Sequence, residues 1–178
     1  GRIVKVMVDV GDRVPAGAPL AQIDPTDYQL ARRQAQTLLL QTLAKLGLTE
    51  MPDESFQPEN IPTVQQAKLQ ANNAEARFRR AEKLFQQQPP LISEQEYEDL
   101  KTAAAVARSA YDVALLSARS LVAEARTREA ELNLAEQRLA DTTIKAPEGN
   151  GRQYAIAAKL VSVGEYVKDG TALFTVVA

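Results

Sequence analysis

The chain of 178 residues contains no cysteine and no histidine. Without cysteine there are no disulfides or thiol nucleophiles, and without histidine no side chain titrates near neutral pH; the usual zinc ligands go with both. Cysteine-free chains occur in every compartment, so this absence does not decide the redox setting. Aromatic residues make up 5% of the chain, too few for a large aromatic-rich core. No apolar run approaches the roughly 20 residues that cross a bilayer, and no signal peptide is visible. If the parent protein is exported or anchored, those segments are expected outside this sequence. Charged residues are 25% and the formal net charge is −2, so no strongly basic field is available to hold nucleic acid or anionic lipid. The length fits one ordinary domain or two small ones. Alanine is plentiful, which favours helices packed closely side by side.

The two ends of the chain carry copies of one pattern. Val10-Gly11-Asp12-Arg13-Val14 is followed by Gly17, Leu20 and Ile23; Val163-Gly164-Glu165-Tyr166-Val167 is followed by Gly170, Leu173 and Val176. The offset is constant, and the common pattern reads V-G-[DE]-x-V-x-x-G-x-x-L-x-x-[IV]. Alternation at Val4, Val6, Val8 and Val10 predicts a strand with those valines on its buried face. The paired glycines mark tight turns, where positive φ is expected. Neither copy is long enough to bury its own face, so the two are expected to close into one small β-sandwich.

Between the copies the period changes. From Leu100 an apolar stripe runs through Ala104, Ala107, Tyr111, Ala114, Ala118, Leu121, Ala125, Arg128, Leu132, Ala135 and Leu139, alternating steps of four and three, with Arg128 its one polar member. Upstream, Val64, Ala67, Ala71, Ala74, Phe78, Ala81 and Phe85 keep the same rhythm. A 3.5-residue period sustained this long predicts a coiled coil, and a short polar turn between the stripes makes it antiparallel and intramolecular. Asp24-Pro25, Thr63 with Gln66, and Ser93 with Glu96 carry the spacing of helix starts. The expected helices are 25–46, 64–88 and 94–142, the last ~73 Å long at the α-helical rise. The prolines and Gly47 of segment 47–63 exclude a continuous helix there. The first two helices together match the third in length, so this segment is expected to loop out as a tolerated surface insertion. A contact surface is the other reading of it.

The chain therefore reads as α+β. Residues 1–24 and 143–178 form one discontinuous β domain, and 25–142 form a helical hairpin. The hairpin has arms 25–46 plus 64–88 and 94–142, the insertion 47–63, and a tip at 89–93.

A β-repeat split by an antiparallel helical hairpin resembles the HlyD/AcrA-like membrane fusion proteins. Gly1-Arg2-Ile3-Val4 to Asp24 resembles the first half-motif of that family. Leu139-Ala140-Asp141-Thr142-Thr143-Ile144-Lys145-Ala146-Pro147 resembles the return into the second half, and Val163 to Leu173 its close. The resemblance implies a lipoyl-like or biotinyl-like β domain and a periplasmic adaptor. Such an adaptor links an inner-membrane transporter, of RND or ABC type, to an outer-membrane TolC-like channel in the Gram-negative envelope. It further implies self-association into a ring or funnel and membrane attachment through segments outside this sequence. Two departures stand out. The loop Glu148–Gln153 is longer than the family's turn, and Pro89-Pro90 enlarge the tip. Family hairpins often carry Arg, then Leu, then Ser near the tip to dock the channel; here Arg80 and Leu84 keep the spacing and Ser93 comes two residues late. Each also has a plain reading: a solvated charge, a seam-flanking hydrophobe and a helix cap.

No catalytic, cofactor-binding or metal-binding residue emerges, and the chain is expected not to be an enzyme. Two other functions stay open, a lipoyl or biotinyl carrier subunit and a free-standing coiled-coil scaffold. The carrier reading needs a lysine at an exposed hairpin tip, whereas Lys145 falls on an expected strand. Gly149-Asn150-Gly151 lacks the helix and lysine of a phosphate loop and reads as a turn. Glu94, Glu96, Glu98 and Asp99 read as a solvated face that favours a helix N-terminus.

Overall fold

The computed structural model describes every residue except Glu54, Asn150 and Ala178. The parts of the insertion and of the Gly149–Gly151 turn that fall on Glu54 and Asn150 lie outside the described residues. In chain order the elements are β1 (Ile3–Val6), β2 (Arg13–Pro15), β3 (Pro19–Ile23), α1 (Thr26–Leu46), a 3-10 turn (Pro58–Asn60), α2 (Pro62–Phe85), α3 (Glu94–Ala140), β4 (Thr143–Lys145), β5 (Gln153–Lys159) and β6 (Phe174–Val177). The fold is α+β, with two compact units: Gly1–Thr37 with Ala130–Ala178, and Leu38–Glu129.

The first unit holds two three-stranded antiparallel sheets, ordered β1-β3-β4 and β2-β5-β6. Each sheet takes strands from both ends of the chain, so the two half-motifs share both sheets. One core cluster gathers Val14, Leu20, Ala146, Tyr154 and Ile156; a second gathers Ile3, Val161 and Val167. The repeat seen in sequence is also a repeat of geometry. Gly11 and Gly164 have φ of 94° and 91°, and Gly17 and Gly170 have 74° and 83°, values that a side chain would oppose. In each copy a carboxylate closes the turn: the Asp9 N–H donates to Asp12 at 2.7 Å, and the Ser162 N–H donates to Glu165 at 3.0 Å.

One strand face differs in part from its expectation. Val4 and Val10 are exposed, while Ile3 is fully buried and Val6 packs beside it. The register of β1 against β3 shifts between Ile3 and Lys5. Val6 and Val8 do pack against the core clusters as expected, and the irregularity moves the burial at the start of the strand from Val4 to Ile3.

The helices leave the sheets through two different fastenings. At the start of α1, Asp24 accepts hydrogen bonds from the Thr26 hydroxyl at 2.7 Å and the Thr26 N–H at 3.1 Å. These bonds, Thr26's hydroxyl first, hold the Asp24 carboxyl below the usual carboxylate range. At the end of α3, the buried Thr142 hydroxyl donates to the Leu139 carbonyl at 2.7 Å. The Gln22 amide donates to the Thr142 hydroxyl at 2.9 Å and to its carbonyl at 3.1 Å, and the Thr143 hydroxyl donates back to Gln22 at 2.9 Å. This amide is satisfied on both ends, as a partly buried polar group must be.

In the second unit α2 pairs with α3. Every seam position read from sequence within it is buried or half-buried, from Val64 to Phe85 and from Leu100 to Arg128. Arg128 is accommodated by Glu124 on its own helix, 3.8 Å away. A seam on α1 escaped the sequence reading: Tyr28, Arg32, Ala35, Leu39, Thr42 and Leu46 also step by four and three and are all shielded. α1 closes with the Leu48 N–H donating to the Leu43 carbonyl at 3.0 Å. α2 starts at Pro62, with Ile61 as its cap residue and no side-chain cap. Thr63 is therefore inside the first turn and not the expected cap, because proline at the first helical position already presets φ. Between the helices, Ile61 is buried and Glu59 pairs with Arg119 at 3.4 Å.

Candidate docking site at the hairpin turn

The turn joining α2 to α3 is fastened by aromatic rings. Phe85 stacks on Tyr97 with centroids 4.5 Å apart and planes at 11°, and Phe78 meets the same ring at 5.7 Å. Tyr97 extends the α3 seam one step before Leu100, at the same spacing. The Leu91 N–H donates to the Leu84 carbonyl at 3.1 Å, which folds the Pro89-Pro90 segment back on the end of α2.

Arg80 and Leu84 lie one turn apart on α2 and share one flank of it. Arg80 is exposed and makes no ion pair among the described residues; Leu84 is 39% exposed. Ser93 stands across the turn, where its hydroxyl accepts the Glu96 N–H at 3.1 Å. It caps α3, so the cap reading of Ser93 is realised, and Glu94 and Glu96 add negative charge to the same first turn. The structure thus groups Arg80 with Leu84 and gives Ser93 a structural task. Leu91, 63% exposed, is a further apolar side chain at this turn. An apolar residue directly after Pro-Pro was its sequence signal.

Other candidates of the sequence take ordinary places. Lys145 ends β4 and pairs with Pro19 inside a sheet. Among the described residues no group of acidic side chains could hold a metal ion. No described helix is long and apolar enough to cross a membrane. In the first unit a groove of about 430 Å³ is lined by the apolar Tyr28, Ala31, Ala35, Leu134 and Ala135 together with Asp27, Glu131 and Arg138.

Two sheets that each draw strands from both ends of the chain, with a seam-paired helical hairpin inserted between those ends in sequence, define a barrel-sandwich hybrid with an inserted hairpin. The chain belongs to the membrane fusion protein family described as "RND MFP, barrel-sandwich hybrid domain", whose match covers residues 1–178. It is 28% identical over 190 residues to the multidrug resistance protein MdtN of Shigella flexneri, across 99% of this chain and 54% of that protein. It is also 28% identical over 186 residues to the UPF0194 membrane protein in the asrC 5′ region of Acidithiobacillus ferridurans, across 98% and 54%. The chain spans about half the length of these curated relatives. Among solved structures, the periplasmic adaptor protein EmrA matches with a TM-score of 0.54 at 20% identity, over 98% of this chain and 68% of that one. MacA from Actinobacillus actinomycetemcomitans matches with a TM-score of 0.54 at 21% identity, over 99% and 45%. These two likenesses establish the fold.

Proposed function

We propose that this chain is the adaptor portion of an efflux or secretion system in the Gram-negative periplasm. It couples an inner-membrane transporter to an outer-membrane TolC-like channel and carries out no reaction itself. The observation that carries the reading is the membrane-fusion-protein match along the whole chain. A side-chain inventory without cysteine or histidine supports it. So does the relative whose name is a multidrug resistance protein. In this reading residues 25–142 are the coupling hairpin and the β domain is its base. The turn docks the channel through Arg80 and Leu84, with Ser93 beside them.

The coupling is mechanical: transport energy belongs to the partner, and the adaptor contributes packing surface. Exposed Arg80 and Leu84 stabilise little within the chain, so changing them tests docking apart from folding. Arg80→Glu with Leu84→Asp is expected to abolish drug efflux in cells while circular dichroism stays unchanged. Full efflux from that folded variant excludes the docking assignment.

A further inference from the structure

Leu91, two residues before Ser93, stands where the family spacing puts its serine. The enlarged turn gives that leucine a defined place. Its N–H donates to the Leu84 carbonyl at 3.1 Å, so residue 91 is held beside residue 84. Leu91 is 63% exposed and Leu84 39%, which makes an apolar pair at the end of the hairpin. Ser93 is engaged elsewhere, accepting the Glu96 N–H at 3.1 Å as the cap of α3. The mounting of the pair is stiff. Pro89 and Pro90 restrict φ in the chain leading to Leu91. Phe85, next to Leu84, stacks on Tyr97 at 4.5 Å. An exposed apolar pair on a backbone already ordered loses little entropy when it is covered, and this suits it to a contact.

The charges around the pair describe the surface that covers it. Arg80 and Lys83 on α2 and Glu94 and Glu96 on α3 are exposed and make no ion pair among the described residues. Both signs at one turn disfavour an anionic lipid surface or a nucleic acid, each of which presents one sign. They suit a protein surface in which an apolar notch is flanked by polar groups of both signs.

We propose that Leu91 joins Leu84 as an apolar anchor of the channel contact, in the place of a serine, and selects channels whose tip offers an apolar notch. Arg80 beside the pair then meets a carboxylate or the free carbonyls of a helix end. A channel pocket built to hydrogen-bond a serine is a poor partner, because Leu91 leaves its polar groups buried and unpaired. The inference rests on the adaptor reading, adds a residue to its docking surface and states the chemistry of the surface opposite.

The test uses the full-length adaptor in efflux-competent cells, with a photo-cross-linking amino acid at position 84. Leu91→Asp is expected to lower the adduct with the TolC-like channel about tenfold, as loss of a central anchor does, and to lower efflux with it. Leu91→Met is expected to keep both, and Ser93→Ala to keep the adduct. Circular dichroism melts of Leu91→Asp and the parent are expected to coincide, since the side chain is exposed, and this separates docking from folding. Parental adduct yield in Leu91→Asp, or a higher yield in Leu91→Ser than in the parent, overturns the proposal and leaves the adaptor reading standing. A label at position 91 that cross-links to lipid or to a second adaptor copy and never to the channel overturns it as well. Efflux-competent parent cells without any channel adduct from position 84 count against the adaptor docking itself, and this inference falls with it.

Discussion

Ile3 and Ile156 are each other's counterparts in the two half-motifs, and each is bound by the other half's turn. The Gly164 N–H donates to the Ile3 carbonyl at 2.8 Å, and the Gly11 N–H donates to the Ile156 carbonyl at 2.9 Å. In return the Ile3 N–H donates to Glu165 and the Ile156 N–H to Asp12, each at 2.9 Å. Both side chains are buried, at 0% and 1% exposure. Truncation of either to alanine is expected to cost about 2–5 kcal/mol, by lost burial plus the cavity left behind. Chemical denaturation followed in the β domain checks this. Losses that differ widely between the two positions contradict the equivalence.

The same joint gives a pH dependence. Lys159 donates to Asp9 at 2.9 Å; this bond, then the Val10 N–H, holds the Asp9 carboxyl below the usual range. A carboxyl depressed in the folded state contributes stability above its unfolded pKa, and that contribution is lost as pH falls through the folded pKa. Asp9→Asn is therefore expected to melt lower than the parent at neutral pH. The gap should close once the pH drops below the ordinary carboxylate range, as read from thermal melts across pH. A gap that persists in acid contradicts the ion pair as its cause.

The seam is specified by size. Ala125 is fully buried in α3, and Ala125→Leu is expected to destabilise by about 1–3 kcal/mol through overpacking. Arg126→Leu, one residue on and exposed, serves as the control. Equal stability for both leucine variants, by urea unfolding, argues against a tight seam.

Ser93 separates structure from docking. Ser93→Ala is expected to lose roughly 1 kcal/mol with the α3 cap. Ser93→Asp keeps a capping oxygen and thus stability, yet it places a charge at the proposed contact and is expected to reduce efflux. If Ser93→Asp matches the parent in both respects, Ser93 is a cap only.

Much of this fold can be read before any coordinates, for physical reasons that also mark where reading fails. The half-motifs are visible because their turns require glycine, so spacing survives while strand residues vary. The α2 and α3 seams are visible because alanine and aromatic residues recur at steps of four and three. The α1 seam is hidden because Tyr28, Arg32 and Thr42 occupy half of it. Arg32 is neutralised by Glu136 at 3.0 Å, and the Thr42 hydroxyl donates to the Leu38 carbonyl at 3.1 Å. The partner of Arg32 lies far along the chain and cannot be found from the local pattern. On β1, Val4 was misplaced because the register shifts between Ile3 and Lys5, whereas Val6 packs against the core as expected. At the turn, Arg80 and Leu84 were legible as a spaced pair, whereas Leu91 is placed by a backbone hydrogen bond across two prolines.

The central claim is that the hairpin turn meets an outer-membrane channel, and a photo-cross-linking amino acid at position 84 tests it in living cells. The account predicts a light-dependent adduct between the adaptor and a TolC-like channel, lost on Arg80→Glu and absent when the label is moved to Lys68 on the same helix. Efflux-competent cells in which position 84 never cross-links to a channel, or does so no more than position 68, would contradict it.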